Sequence, residues 1–302
     1  MTLTIVHTCG DDELARVFVA QTADGSLIEF VESVQPPLPR EQKWVLIVST
    51  LKGCPVRCPI CDAGGNYAGR LTADEIMAQI DHLVGRRFAD RRVPVPLFKI
   101  QFARMGEPAF NPAVIEVLDR LPDRLVAPGL MPSISTVAPK GCLAFLRELK
   151  VVKDRRYSGG RFQMQFSIHT TCDTRRRELI PAATLPLRAI AQEGNRFFSA
   201  GDRKITLNFA AVAGYPVDAG EVKSLFDPER FIIKLTPVNP TRAALSNGRE
   251  GMIQPGDDPS ACPMAEAFRS AGFDTIVSIG ELEENRIGSN CGMYVATIRA
   301  AG

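Results

Sequence analysis

The sequence has no long hydrophobic run and no large excess of one charge. Its 302 residues include 36 basic and 34 acidic side chains, for a formal net charge of +2. This balance provides none of the strong positive field expected of a protein that clamps a folded RNA. No segment approaches the ~18 apolar residues that a membrane-spanning helix needs. The apolar start of the chain also lacks the basic residues of a signal peptide. We therefore expect a cytoplasmic protein with no membrane partner.

The eight cysteines are too unevenly spread for a disulfide framework in a chain of this length. Three of them, however, lie within eight residues, where Cys54, Cys58 and Cys61 form a CxxxCxxC pattern. Each thiolate can bind one iron of a 4Fe–4S cubane, which leaves the fourth iron open to another ligand. A structural zinc site is the alternative, but zinc requires four close ligands, and no fourth Cys or His lies nearby in the sequence. The spacing therefore favours a cluster.

Strand-like and helix-like segments alternate over most of the chain. A hairpin is predicted at 16–34, and a buried strand from Trp44 leads to Cys54. Thr72 and Glu75 match a capping box that begins a helix. Further strands are predicted at 97–102, 130–135, 162–168, 205–212, 231–235 and 275–278, and helices near 111–121, 141–150, 175–194, 218–226 and 262–271. This alternation is typical of parallel strands with crossover helices, in a β/α barrel or an open wound sheet. Functional sites in both lie at the carboxyl ends of the strands.

Several further motifs follow the cysteines in a distinctive order. They are Met105-Gly106-Glu107-Pro108 with Asn111, Ser135-Thr136, Ser167-Ile168-His169, Arg177-Glu178-Leu179-Ile180-Pro181, Pro237-Val238-Asn239-Pro240 and Asn290-Cys291-Gly292. With CxxxCxxC they resemble the RlmN/Cfr type of radical S-adenosylmethionine methyltransferase, from about residue 25 to the end of the chain. Such enzymes methylate an adenine carbon in RNA.

The resemblance implies a fold and two cofactors. The fold is α/β, a partial (β/α)6 radical S-adenosylmethionine barrel at 44–302, preceded by a small N-terminal β-hairpin extension at 1–43. The cofactors are a 4Fe–4S cluster and S-adenosylmethionine. An electron donor such as flavodoxin or ferredoxin is expected as a partner.

The resemblance also implies roles for individual residues. The cluster ligands are Cys54, Cys58 and Cys61. Cys291 is the catalytic cysteine that carries the methyl group, and Glu32 is the general base near the target carbon. The residues expected to bind S-adenosylmethionine are Gly106, Glu107, Ser135, Ser167, Ile168, His169 and Asn239. Simpler interpretations remain open for three of these residues: Glu32 as a solvated strand residue, His169 as a core histidine and Cys291 as an inert buried thiol.

Two departures from the family pattern affect the expected substrate. The resolving cysteine that the family has seven residues before the first cluster ligand is Ile47 here. Cys172 or Cys9 are the alternatives for its role. The family's N-terminal RNA-binding domain has no counterpart in the 53 residues before Cys54.

We therefore expect methyl transfer to an sp2 carbon of a small-molecule or nucleotide-like substrate. RNA adenine methylation is the main alternative. A radical reaction that makes a ring or thioether is another, and a non-enzymatic iron–sulfur redox or sensor protein is the last.

Overall fold

The computed structural model describes residues 3–254, 256–280, 282–289 and 294–301. The strands are β1 (Thr4–Gly10), β2 (Ala15–Gln21), β3 (Leu27–Ser33), β4 (Lys43–Val48), β5 (Leu51–Cys54), β6 (Gly65–Arg70), β7 (Leu97–Phe102), β8 (Leu130–Thr136), β9 (Gln163–Ser167), β10 (Ile205–Ala210), β11 (Phe231–Thr236) and β12 (Thr275–Val277). The helices are α1 (Ala73–Arg87), α2 (Ala113–Arg124), α3 (Leu143–Arg156), α4 (Asp173–Leu179), α5 (Leu187–Phe197), α6 (Ala219–Leu225), α7 (Arg242–Ser246), α8 (Pro263–Ser270), α9 (Leu282–Ile287) and α10 (Tyr294–Ala301).

One ten-stranded sheet organises the chain. Its order is β1-β2-β3-β4-β7-β8-β9-β10-β11-β12, while β5 and β6 form a separate two-stranded sheet. From β4 through β12 each strand of the large sheet runs parallel to its neighbour, whereas β1, β2 and β3 pair antiparallel. The order does not close on itself in the described part of the chain. The predicted α/β fold with a partial barrel is confirmed.

The N-terminal strands include the hairpin that the sequence predicts. The predicted hairpin forms as β2 and β3, and β1 adds a third strand to it. Val31 in β3 is paired with Ile47 in β4. This pairing joins the antiparallel N-terminal strands to the parallel part of the sheet.

Helix α1 begins where the sequence predicts. The Thr72 side chain accepts a hydrogen bond from the Glu75 backbone, and the Glu75 carboxylate accepts one from the backbone of Thr72 at 2.8 Å. The single helix expected near 175–194 is two helices instead. Proline cannot donate a backbone hydrogen bond and clashes with the preceding turn. For this reason Pro181 and Pro186 keep α4 and α5 apart.

The two faces of the large sheet differ in composition. On one face, which we call the outer face, Phe98, Ile100 and Phe102 are fully buried in the main core, together with residues from α1 and α2. The alternate residues of the strands form the inner face. Many are polar and half-buried: Lys99, Gln101, Ser135, Gln163, Gln165, Ser167 and Lys234. Among the described residues, no helix is long and apolar enough to cross a lipid bilayer.

Candidate functional site

The three motif cysteines lie on a loop at the carboxyl edge of the sheet. The loop follows β4 and is enclosed by β5 and β6, which the sequence analysis did not identify as a hairpin. Gly53, at the end of β5, has a φ of +78°. A Cβ placed there would lie 2.5 Å from the Asn66 carbonyl oxygen, so this close approach requires glycine. Within the loop, the Cys61 N–H donates to the Cys58 carbonyl at 3.1 Å.

The thiols of this loop are held in a poorly hydrated environment. Burial raises the pKa of Cys54 to about 11, with the Glu107 carboxylate adding to the rise. Burial raises the pKa of Cys58 well above its usual value, followed by the effects of Cys61, Cys54 and Glu107. The thiols of Cys54 and Cys58 therefore stay protonated unless a metal ion displaces the proton, as iron does when it binds a thiolate.

No three described His, Cys, Asp or Glu side chains converge closely enough to hold a single metal ion. The cysteine ligands of a cubane each bind a different iron, so they need not converge on one point.

Two buried amides fix the backbone around the cysteine loop. Gln79 of α1 donates to the Ser49 carbonyl at 3.0 Å and accepts from the Ser49 N–H at 2.8 Å. Asn111 donates to the carbonyls of Thr50 and Leu71 at 2.7 and 2.8 Å. Satisfied buried amides fix a backbone position firmly, because breaking such a bond leaves a buried polar group unpaired. The loop therefore begins and ends on a rigid base.

Gly106 and Glu107 follow β7 and lie against the same loop. Gly106 has a φ of +100°, and a Cβ on it would come within 2.5 Å of the Leu51 side chain. The buried Glu107 carboxylate accepts from the Thr136 hydroxyl at 2.5 Å, from the Val137 N–H at 2.8 Å and from the Ala109 N–H at 3.0 Å. Burial raises the pKa of Glu107, although these hydrogen bonds oppose the rise. A carboxylate has about four lone-pair sites, so one further donor can be accommodated.

His169 is held as a neutral imidazole. It has a φ of +67°, and its Nδ1 accepts a hydrogen bond from the Ala210 N–H at 3.0 Å. Burial, followed by the charge of Arg176, lowers its pKa to about 4. Because Nδ1 accepts, the proton of the neutral ring is on Nε2, which is then available as a donor.

The other residues predicted to bind the cofactor come to the same edge. Ser135 and Ser167 lie half-buried at the ends of β8 and β9. Ile168 is buried, and its N–H donates to the Asn208 carbonyl at 2.8 Å. Asn239 follows β11 in the loop that begins after Thr236. In a parallel sheet the carboxyl ends of the strands share one edge, and the structure places the whole predicted set there.

The sequence analysis did not identify Arg176 as a site residue; in the sequence it lies between Arg175 and Arg177. It is 1% exposed, and its guanidinium donates to the carbonyls of Ser167, Ile168, Val137 and Leu185 and to the Thr184 hydroxyl, at 2.9–3.2 Å. The side chain thus ties together the loops after β8 and β9. No signal in the sequence separates Arg176 from Arg175 and Arg177, because its burial follows from carbonyls on several separate loops.

Glu32 lies on the outer face of the sheet. It is paired with Leu46 across β3 and β4, and its carboxylate accepts from the Trp44 indole N–H at 3.1 Å. Arg87 and Arg40 also bind this carboxylate. Its role as a general base stays a prediction.

Cys291 lies outside the described residues, and its role as methyl carrier also stays a prediction. The residues that flank it are held on the inner face. Arg104 donates to the carbonyls of Gly288 and Ser289 at 2.7 and 2.8 Å and forms a buried ion pair with Glu29 at 2.5 Å. The Val295 N–H donates to Glu29 at 3.2 Å. Ile47, which stands where the family has its resolving cysteine, also faces inward, and Ile47 and Tyr294 pack against the same small cluster of buried residues.

Cys9, one of the two alternatives for a resolving thiol, lies near this segment, with its sulfur 2.8 Å from the Tyr294 hydroxyl. Cys172, the other, is the residue that precedes α4.

Comparison with known proteins gives one consistent result. No family model matches the chain. A probable dual-specificity RNA methyltransferase RlmN from Parasynechococcus marenigrum is 27% identical over 300 residues, covering 94% of this chain and 81% of that protein. A protein of the same name from Gemmatimonas aurantiaca is 27% identical over 287 residues, covering 90% and 72%.

Among solved structures, a radical SAM methyltransferase from Sphaerobacter thermophilus shares the fold, with a TM-score of 0.71 and 22% identity over 97% of this chain and 81% of that one. Over most of its length the chain is similar to RlmN-type radical S-adenosylmethionine methyltransferases, which confirms the resemblance and the kind of enzyme predicted from the sequence.

Proposed function

We propose that the protein transfers a methyl group, by way of Cys291, to an sp2 carbon of a small, nucleotide-like acceptor. The observation that carries the proposal is the meeting of three motifs at one edge of the sheet. The cysteine loop, the Gly106-Glu107 turn and the Ser167–His169 segment come from distant parts of the sequence, yet all of them lie at the carboxyl ends of parallel strands in one sheet.

The residues at this edge fit the two cofactors that the resemblance implies. The three loop thiols suit a 4Fe–4S cluster. The Glu107 carboxylate suits an ammonium group, and His169 Nε2–H suits an oxygen acceptor. When bound, the cluster and S-adenosylmethionine supply the electron, the radical and the methyl group. The protein fixes their orientation through Gly106, Glu107 and Arg176 and excludes water from the edge.

Cys291 serves as the nucleophile in this proposal. A thiolate is the most nucleophilic of the common side chains, and it takes up an electrophilic methyl group readily. The anchoring of Gly288 and Ser289 by Arg104, and of Val295 by Glu29, supports a carrier that works at the mouth of the inner face.

RNA adenine methylation is the second candidate function. The names of the curated relatives favour it, since both are called RNA methyltransferases. The near-neutral charge of this chain favours the small acceptor, because binding a folded RNA depends on phosphate neutralisation.

We also propose that the protein works in the cytoplasm with a flavodoxin or ferredoxin as reductant. Cys54, Cys58 and Cys61 are free thiols, and a cluster on free thiols needs reducing surroundings.

Anaerobic reconstitution tests the cluster. We expect about four irons per chain and formation of 5′-deoxyadenosine, and we expect Cys54→Ala to abolish both. Cys142→Ala is the matched control, because Cys142 is a buried thiol next to α3 and should leave both unchanged. Bound zinc without iron-dependent absorbance in the wild type would contradict the proposal.

Methyl transfer is tested with methyl-deuterated S-adenosylmethionine. Reconstituted protein is incubated separately with a nucleotide pool and with ribosomal RNA fragments, and the products are analysed by mass spectrometry. We expect label in a small molecule and a ~14 Da gain on the Cys291 peptide of protein isolated from cells. Multiple-turnover labelling of RNA alone would establish the second candidate. Wild-type product formation by Cys291→Ala would rule out the carrier role.

A further inference from the structure

The inner face carries a group of basic side chains that the proposed chemistry does not use. Lys99 lies in the middle of β7, and Lys234 lies in the middle of β11. Lys43 begins β4, and Arg203 precedes β10. The strand register puts Lys43, Lys99 and Lys234 on the inner face, and the charges of Lys234, Lys43 and Arg203 lower the pKa of Lys99.

Lys99 has no ionic or hydrogen-bonding partner in the described part of the chain. Lys43, by contrast, donates to the Gln35 carbonyl at 3.0 Å and has Glu284 nearby. A buried cation whose charged neighbours are all cations lowers the stability of the fold unless an anion binds beside it. The side chain of Lys99 is half-buried and not fully enclosed, which leaves it a contact surface for such an anion.

The other residues of this face are suited to a polar ligand. Gln101, Gln163 and Gln165 point to the same side as Lys99, and each is half-buried. Phe98 and Ile100, its neighbours along β7, point the other way into the core. Strand β7 therefore keeps Phe98 and Ile100 on one face and presents Lys99 and Gln101 on the other.

We propose that Lys99, with Lys234 and Lys43 around it, binds a phosphate group of the methyl acceptor. This inference rests on the proposed function and makes it more specific, because it identifies the acceptor as a phosphorylated small molecule. An ammonium is a suitable ligand for phosphate as a point charge, and its hydrogen bonds to an anion are roughly twice as strong as neutral ones.

The spacing along β7 agrees with an acceptor that extends across the inner face. Lys99 is three residues before Phe102, where the strand ends. At ~3.3 Å per residue, its Cα lies about 10 Å below the carboxyl edge that holds the cysteine loop. One end of a nucleotide-sized molecule can thus lie at Lys99 while its ring lies near the edge.

The first test measures anion binding without catalysis. Thermal unfolding of the reconstituted full-length protein is followed with increasing inorganic phosphate at constant ionic strength. We expect phosphate to raise Tm in the wild type, since a ligand that binds only the folded state stabilises it. Lys99→Met should remove this rise, and Lys99→Arg should keep part of it. No rise in the wild type would overturn the proposal.

The second test compares adenosine 5′-monophosphate with adenosine by calorimetry. We expect the phosphate to tighten binding at least tenfold in the wild type. Lys99→Met should abolish this difference while leaving adenosine binding unchanged. Lys223→Met is the matched control, because Lys223 is exposed on α6. Equal affinities for the two compounds in the wild type, or an undiminished difference in Lys99→Met, would overturn the proposal.

A phosphodiester is the other source of the same chemistry. An adenine-containing oligonucleotide that competes at Lys99 while adenosine monophosphate does not would overturn the small acceptor in favour of RNA. The outcomes also separate the two proposals. Lys99-dependent binding without any methyl transfer would leave the anion site standing and reject the proposed function. Methyl transfer that is unaffected by Lys99→Met would leave the proposed function standing and reject the anion site.

Discussion

The two faces of the large sheet are made from the same strands yet have opposite properties. On the outer face, Phe98 is fully buried and stacks on Trp44 with a ring separation of 4.9 Å. On the inner face, its neighbour Lys99 remains half-buried and without a partner in the described part of the chain. A strand places successive side chains on opposite faces, so β7 belongs to both surfaces at once. The contrast shows that the apolar core and the polar, half-buried residues of β7 are separated by sheet face.

The most direct test of this comparison is to substitute residues on opposite faces of one strand. We expect Phe98→Ala to lower the free energy of unfolding by about 3–5 kcal/mol, because it leaves a cavity in the outer core. Gln101→Ala should change it by only about 0.5 kcal/mol, since a half-buried polar residue contributes little to the core. Chemical denaturation of the two variants measures both values. Equal losses would show that the inner face is structural as well.

One ion pair on the inner face should be an exception. Arg104→Met leaves Glu29 buried without its cation, and we expect a loss of about 3–5 kcal/mol. The double variant Glu29→Gln/Arg104→Met should recover much of this loss. Arg120→Met is the control, because the exposed pair of Arg120 with Glu116 is worth only about 0.3–0.5 kcal/mol. A double variant that is no more stable than Arg104→Met would contradict the pairing.

His169 should make stability fall in mild acid. Burial and Arg176 lower its pKa from 6.5 to about 4. Between these pH values the unfolded chain binds more protons than the folded one, so stability decreases as pH falls. At about 1.4 kcal/mol per pKa unit, the loss reaches roughly 3 kcal/mol. Comparing denaturation of the wild type and His169→Gln from pH 7 to 4 checks this. Parallel curves for the two proteins would exclude His169 as the cause.

Lys99 should also make stability rise with pH, in the alkaline range, and should have the smallest effect. Burial, followed by Lys234, Lys43 and Arg203, lowers its pKa from 10.5 to about 7. Between pH 7 and 10.5 the unfolded chain therefore binds more protons, and stability due to this group rises with pH. Lys99→Met should be more stable than the wild type by about 1 kcal/mol or less at pH 7, because water reaches the half-buried ammonium.

That advantage of Lys99→Met should disappear near pH 10. The neighbouring cation Lys43 differs from Lys99 in having a carboxylate nearby. Glu284 raises the pKa of Lys43, whereas burial lowers it. Thermal unfolding at both pH values gives the comparison, and a variant less stable than the wild type at pH 7 would show that the cation is structural.

Much of this arrangement could be predicted from the sequence. The apolar strand segments, the capping box of α1 and the motifs after each strand led to the correct fold and to one edge of the sheet. The inner face was missed, although its signal is visible in Leu97-Phe98-Lys99-Ile100-Gln101-Phe102, where apolar and polar residues alternate. A strand buried on both faces would lack this alternation.

Other features depended on tertiary contacts that a local pattern does not contain. Arg176 is indistinguishable from its arginine neighbours in sequence, and only the convergence of carbonyls from several loops selects it for burial. The face on which Glu32 lies depends on the register of β3 with β4. A shift of one residue would have reversed that face.

The contact between Glu29 and Val295 joins residues 266 apart in the chain. The base of the cysteine loop, by contrast, needs only residues up to Asn111. At ~5–20 residues per second, the ribosome takes about 10 to 40 s to make the roughly 180 residues between these points. During translation the base of the loop is thus complete well before the inner face is covered, and we expect this interval to be the time when a preassembled cluster reaches its thiols most easily.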